Sequence, residues 1–274
     1  MSLSFLAMTT IKPCNYSTIR PNAMYKYYVE IIEGTEKYIL DELKSKVPDF
    51  QILKSTRNKI EFSSSEQKID AIPQIFCALR IGNEFGRVIN LFRRDWKKIS
   101  LAAGINPALA YVMCKIAEVQ ESDIVLDPCC GAGTIPITAA LYFNPTKVIA
   151  SDISGKAIED ARMNSTAANL TPDKFFLFRK GVRDLVLKPE SVNKIITNLP
   201  FGIRTGNHQM NEETYENFAK KASTILVPSG KIVALTQEKE LFKKYFNSGK
   251  LKIVEEMMVS QGGLTPNIFV VEKV

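Results

Sequence analysis

Apolar and polar residues alternate over YKYYVEII (25–32), a period of two that predicts a strand with one buried face. The spacing then changes. Over EKYILDELKSKV (36–47), Tyr38, Ile39, Leu43 and Val47 fall near one helical face, and Thr35 stands where an N-cap belongs. FQILKS and KIEFS (50–55 and 59–63) read as two short strands about a tight turn, 66–79 as a helix that Pro73 kinks or divides, and 85–92 as a further strand. The order β-α-β-β-α-β is the split ferredoxin-like pattern. Residues 1–24 show no periodicity, contain Pro13 and Pro21, and read as a tail or extended arm.

From residue 106 the pattern changes again. Helices over 107–119, 134–142, 155–168, 212–226 and 239–246 alternate with strands over 124–126, 147–151, 175–178, 194–197 and 231–236, and strands over 252–259 and 267–271 close the chain. Alternating strands and helices predict an α/β domain, a mostly parallel sheet with helices on both faces. The expected division is a tail (1–24), a small ferredoxin-like α+β domain (25–92), a linker (93–105) and the α/β domain (106–274). The linker carries the only tryptophan, Trp96, among Arg93, Arg94, Lys97 and Lys98. Such a cluster suits either an RNA strand, with phosphates on the cations and a base on the ring, or a tryptophan packed between domains; the second reading is preferred.

Composition removes several function classes. With 45% hydrophobic residues, the 274-residue chain can bury a core. It has no apolar run of about 18 residues, so no spanning helix is expected. The opening MSLSFLAM is short and follows no basic residue, so no secretory signal is expected either. The net charge is +7, and residues 1–105 hold 16 basic against 11 acidic side chains, a balance that fits a polyanion partner or merely a solvated surface. The five cysteines (Cys14, Cys77, Cys114, Cys129, Cys130) form no CxxC pair, and His208 is the only histidine. Neither a disulfide framework nor a zinc site is supported, the chain reads as cytoplasmic, and a Ser-His or Cys-His couple is disfavoured.

IVLDPCCGAGTIPITAA (124–140) carries the first chemistry: an apolar strand ending at Asp127, a turn with Gly131 and Gly133, and a helix opening near Thr134. Glycine lets backbone approach a ligand, and the helix start offers free N–H groups. Pro136 occupies the sixth position of a would-be GxGxxG, which disfavours a dinucleotide. Asp127 would oppose a phosphate but welcome an amine, and Asp152, ending the next strand 25 residues on, can accept ribose hydroxyls. These features describe a nucleoside with a positive, phosphate-free tail, which S-adenosylmethionine fits.

IITNLPFGIRTG (195–206) carries the second. An exocyclic base amine is a poor nucleophile because its lone pair is delocalised into the ring. The side-chain oxygen of Asn198 and a backbone carbonyl, of Leu199 or Pro200, can each accept one of its N–H groups and stabilise the charge that develops on attack. Pro200 stiffens the turn, and Phe201 offers a face for an extruded base. No general base is needed beforehand, since the proton can leave to water after transfer.

DPCCGAGT resembles the first motif of class I S-adenosylmethionine-dependent methyltransferases, in the form found in RNA guanine-N2 methyltransferases, and NLPFGIR is similar to that family's NPPYG-x-R motif, with Leu199 for the first proline and Phe201 for tyrosine. INPALAYVM (105–113) resembles the helix that precedes the first motif in the family and closes over the cofactor. The resemblance implies a Rossmann-like class I domain with a mostly parallel seven-stranded sheet. It implies S-adenosyl-L-methionine as cofactor, with Asp127, Pro128, Cys129, Gly131, Gly133, Thr134, Asp152, Ile153, Asp184 and Asn198 around it, and no metal. It also implies Asn198, Pro200 and Phe201 as the catalytic set, with Phe201 and Arg204 meeting the RNA. Family members open with a ferredoxin-like piece followed by a THUMP domain for tRNA; residues 25–94 have room for the first only, so the THUMP domain is expected to be reduced or missing. The expected activity is methylation of the N2 amine of guanosine in tRNA, with RNA affinity supplied by the basic front third or by a protein partner. The alternatives are N6-adenine methylation of RNA or DNA and a non-catalytic RNA-binding subunit.

Overall fold

The computed structural model describes residues 23–101, 104–200, 208–247 and 249–274. The first part of the chain forms β1 (Tyr25–Glu30), α1 (Glu36–Lys46), β2 (Gln51–Thr56), β3 (Lys59–Ser64), β4 (Arg80–Asn83) and β5 (Val88–Asn90). They build one sheet in the order β2-β3-β1-β4-β5, antiparallel throughout. Its first four strands have the ferredoxin-like arrangement, in which the hairpin β2-β3 returns beside β1. The period of two in β1 sends Tyr27 and Val29 inward, where they join Ile60 and Phe62 of β3 and Ile39 and Leu43 of α1.

The second crossover is not the helix expected over 66–79. Only one 3-10 turn forms, Ile69–Ala71, and Ile72 is already extended at φ −67° and ψ 125°. Pro73 has no N–H to donate, and its ring disfavours a helical residue before it. The backbone amides that a helix would have satisfied are met by a side chain. Glu42, on α1 and 1% exposed, accepts hydrogen bonds from the N–H groups of Phe76 (3.0 Å) and Cys77 (2.8 Å) and an ion pair from Lys46 (2.7 Å). The strand expected over 85–92 is cut to 88–90, and the strand that pairs with β1 is β4, over 80–83, outside the expected span. Residues 80–83 and 88–90 pair as a hairpin whose tip places Gly86 at φ +82°, and the Asn83 side chain accepts from the amides of Phe85 and Arg87.

The second part contains α2 (Pro107–Ile116), β6 (Ile124–Asp127), α3 (Thr134–Phe143), β7 (Lys147–Asp152), α4 (Gly155–Ala167) and β8 (Phe175–Arg179). There follow β9 (Val192–Asn198), α5 (His208–Ile225), β10 (Leu226–Thr236), α6 (Lys239–Phe246), β11 (Leu251–Met258) and β12 (Asn267–Lys273). The seven strands lie in the order β11-β12-β10-β9-β6-β7-β8, and only β12 runs against the rest. The near-continuous apolar character of these strands reflects burial on both faces. Val125, Val148, Ile196 and Val233 pack on one side with α2 and α3; their neighbours Leu126, Ile149, Ile195 and Ile232 pack on the other with α5 and α6. Among the described residues no helix is long and apolar enough to cross a membrane.

The seam between the two sheets is continuous core, since the first cluster runs from Tyr27 to Val270. Trp96 is buried in it and its ring N–H points to the Tyr142 hydroxyl at 3.4 Å. Arg94 is buried too, donating to the carbonyls of Leu91 and Phe76, with its guanidinium 5.4 Å from the Phe76 ring centre and 5.9 Å from that of Tyr142. Lys97 donates to the Ile105 carbonyl (3.0 Å), and burial pushes its ammonium down to about 8. Of the basic cluster, only Arg93 and Lys98 stay on the surface, so the packed reading of the linker holds.

Glu42→Leu leaves two buried amides without acceptors and should lower stability by about 3 kcal/mol. Glu42→Gln keeps one carbonyl acceptor and should cost less. Urea denaturation of the two variants checks the order; equal losses would show that the carboxylate does not hold the 75–78 segment.

Candidate functional site

Along the sheet, β6, β7 and β8 wind outward one way, and β9 and β10 the other. Such a reversal leaves the carboxyl ends of two neighbouring strands without a crossover between them, the usual place for a ligand crevice in an open α/β sheet. Here those strands are β6 and β9, in register through Val125 with Lys194 and Leu126 with Ile195. Asp127 ends one and Asn198 ends the other. The two motifs of the sequence thus open on one edge of one sheet.

On the β6 side, Asp127 is 1% exposed and its carboxylate accepts the N–H of Cys129 (3.1 Å). Burial, with the charge of Asp152 adding to it, pushes the Asp127 carboxyl up to about 7. A buried acid in this state favours a cationic neighbour, because a positive group restores the ionised form. Pro128 and Cys129 begin the turn, with the Pro128 carbonyl facing the Ser151 hydroxyl at 3.4 Å. Gly131 and Gly133 take φ of +52° and +82°. A side chain at Gly133 would also stand 3.2 Å from Cβ of Ala161, so glycine is required there both for conformation and for the approach of α4. Thr134 is buried at the start of α3. Burial pushes the thiols of Cys129 and Cys130 up, so neither is a ready thiolate.

Asp152, at the end of β7, holds the turn in shape. One of its oxygens accepts the N–H of Gly131 (2.9 Å) and the other that of Ser154 (2.9 Å). Each carboxylate oxygen keeps a second lone pair, so hydroxyls can still be received. Beside it Ile153 is 77% exposed, unusual for so large an apolar side chain, and a side chain at Gly181 would begin 3.5 Å from its Cδ1. Gly181 opens the 3-10 turn that carries Asp184, which is exposed and faces the Arg183 guanidinium at 3.4 Å. The acid expected after β8 therefore sits on the 3-10 turn whose opening residue, Gly181, adjoins the exposed Ile153.

On the β9 side, the N–H of Leu199 donates to the carbonyl of Leu235 (3.0 Å), continuing the sheet one residue beyond Asn198. Pro200 follows, its carbonyl receiving the Tyr215 hydroxyl at 3.2 Å. Phe201 and Arg204, expected to meet the substrate, lie outside the described residues. Among the described residues no group of three or more His, Cys, Asp or Glu could hold a metal ion.

Two supports escaped the sequence reading. Asn164, on α4 and fully buried, donates to the carbonyls of Ala132 (2.9 Å) and Ile99 (3.0 Å) and accepts the N–H of Ile99 (2.9 Å), tying the glycine turn to the linker. Leu101, two residues on, reaches to 3.4 Å of the position a Cβ at Gly131 would take. A signal existed for Asn164: it lies three residues after Ala161 and six after Ile158, on the apolar stripe of α4. Tyr215 is the other; it belongs to the buried stripe of α5, and nothing in the sequence says what its hydroxyl meets.

The family described as UPF0020, RMKL-like methyltransferase domain, matches residues 94–267. A tRNA (guanine(6)-N2)-methyltransferase of Thermus thermophilus is 32% identical over 181 residues, which make up 66% of this chain and 53% of that protein. The chain thus spans about half the length of that relative. A tRNA (guanine(6)-N2)-methyltransferase of Methanocaldococcus jannaschii is 24% identical over 260 residues, covering 81% of this chain and 68% of that one. The crystal structure of TrmN from Thermus thermophilus superposes with a TM-score of 0.79 at 20% identity, over 92% of this chain and 100% of that one, which shows a shared fold.

Because the Asp127 carboxyl holds its proton more tightly folded (about 7) than unfolded (about 3.9), its neutral form stabilises the fold at low pH, and that contribution is lost as pH rises through 7. Relative to Asp127→Asn, the wild type should lose up to about 4 kcal/mol between about pH 4 and pH 8. Urea titrations across that range check it; parallel stability curves would mean that Asp127 is already ionised.

Proposed function

The chain belongs to the UPF0020, RMKL-like methyltransferase domain family, and on that premise we propose that it methylates the exocyclic N2 amine of a guanosine in tRNA, with S-adenosyl-L-methionine as donor. The observation that carries this reading is the meeting of the Asp127 turn and the Asn198 turn at the one switch point of the sheet. The names of the Thermus and Methanocaldococcus relatives support guanine N2 over adenine N6 as the target.

The residues present suit the cofactor. S-adenosylmethionine supplies an electrophilic methyl group on a sulfonium. Asp127, buried and short of a cation, would hold the amine of its methionine end, with Pro128, Cys129, Thr134 and the backbone of Gly131 and Gly133 around it. Asp152 would receive the ribose hydroxyls on the lone pairs left by Gly131 and Ser154. The exposed side chain of Ile153 would be covered by the adenine, whose amine Asp184 would read.

For the base, Asn198 accepts one amine N–H and a backbone carbonyl accepts the other. The Pro200 carbonyl has one of its two lone pairs engaged by the Tyr215 hydroxyl, and we assign this part to the Leu199 carbonyl. Both acceptors would draw the lone pair out of the ring and stabilise the positive charge that grows on nitrogen as its bond to the methyl carbon forms and the methyl–sulfur bond breaks, the sulfur leaving as a neutral thioether. Pro200 stiffens the turn. Phe201 would stack the extruded base and Arg204 would meet its phosphate, roles assigned from the motif. The amine proton then leaves to water. RNA is the partner of this reaction. With Arg94, Trp96 and Lys97 turned inward, the linker offers RNA little, so a protein partner supplying additional grip is part of the same proposal.

Asn198→Ala should reduce methyl transfer to a tRNA transcript by about 100-fold or more while leaving the cofactor dissociation constant within about threefold. Radiolabel transfer and calorimetry measure the two. Nucleoside digestion of the wild-type product should yield N2-methylguanosine; N6-methyladenosine in its place would sink the guanine assignment.

A further inference from the structure

Behind the Asn198 turn, two buried hydroxyls lie in line. Tyr215 of α5 and Thr236, the last residue of β10, are both fully buried, and their oxygens are 2.5 Å apart. The Thr236 hydroxyl accepts the N–H of Glu238 at 2.9 Å, and the Tyr215 hydroxyl stands 3.2 Å from the Pro200 carbonyl. Each hydroxyl has one proton to give. With the Glu238 N–H already donated to Thr236, the Thr236 proton can turn to Tyr215, and the Tyr215 proton is then directed at Pro200. The opposite direction would take the Tyr215 proton away from Pro200. The tyrosine ring cannot swing aside, because its edge meets Phe242 at 6.3 Å and 85°, and Phe242 is itself stacked between Phe246 (4.1 Å) and Phe269 (4.6 Å).

The geometry points to this chain, Glu238 N–H to Thr236 to Tyr215 to the Pro200 carbonyl, as a relay that fixes the plane of the Pro200 peptide and so aims the Asn198–Leu199 acceptors at the substrate amine. Tyr215 and Thr236 are then positioning residues: they touch neither cofactor nor base and act through the turn. The inference rests on the methyl-transfer reading for its consequence in catalysis, while the relay itself is a property of the fold. Chained hydrogen bonds in a buried site polarise one another, so loss of either hydroxyl should be felt at the far end. The burial that the relay requires also pushes the Tyr215 phenol up, so it keeps its proton at neutral pH.

Tyr215→Phe and Thr236→Val should each lower kcat about tenfold, the worth of about one buried hydrogen bond, with KM for S-adenosylmethionine within about twofold. The double variant should be no slower than the slower single one, and Thr236→Ser, which restores the hydroxyl, should recover wild-type kcat. A Tyr215→Phe enzyme within about twofold of wild type in kcat, or additive losses in the double variant, would overturn the relay. Absence of any methyl transfer by the wild type would strike the functional reading instead. The relay is then judged by hydrogen exchange of the Leu199 amide, which donates to Leu235: faster exchange in Tyr215→Phe with unchanged melting temperature supports it, and unchanged exchange refutes it.

Discussion

A parallel sheet that reverses its winding between two adjacent strands must leave their carboxyl ends open, because the connections leave in opposite directions. The candidate site of this chain follows from that constraint acting at β6 and β9. It brings two turns, more than sixty residues apart in sequence, to one edge, and it strips Asp127 of water between packed helices. The same carboxyl on the surface would be an ordinary acid. Buried here, it is held near neutrality and is ready for a positively charged group.

Irregular backbone around the site is kept in place by buried and half-buried polar side chains rather than by apolar packing alone. Asn164 ties the linker to the glycine turn through three hydrogen bonds. Asp152 holds the same turn from the neighbouring strand through the Gly131 amide. Tyr215 and Thr236 do the corresponding work for the turn after β9. Glu42 repeats the device far from the site, holding a segment in which Pro73 forbids a helix. In each case a buried or half-buried group spends its hydrogen-bonding capacity on main chain that has no ladder of its own, which both satisfies the backbone and restricts it to one shape.

The linker illustrates how tertiary packing can override charge. All six residues in the run 93–98 are ionic or aromatic, a composition that suits contact with nucleic acid. In the fold, the guanidinium of Arg94 lies against Phe76 and Tyr142, Trp96 fills the seam, and Lys97 donates a hydrogen bond to a backbone carbonyl. The run joins the two sheets into a continuous core, and the seam in turn positions Ile99 and Leu101 over the glycine turn.

By itself the sequence determined the alternating α/β order, the ferredoxin-like strand order, the glycine turn after Asp127 and the Asn198 turn, because each is written in local chemistry: period, glycine at positive φ, proline after an acceptor. It overstated the helix over 66–79, since periodicity cannot show that Glu42 will satisfy the amides that Pro73 frees. It could not reveal that Asp152 would spend an oxygen on Gly131, that Asn164 would join linker to turn, or that Tyr215 would reach Pro200. Those are contacts between residues 15 to 65 apart in the chain, and a side chain's partner across such distances is chosen only when the sheet and its helices pack.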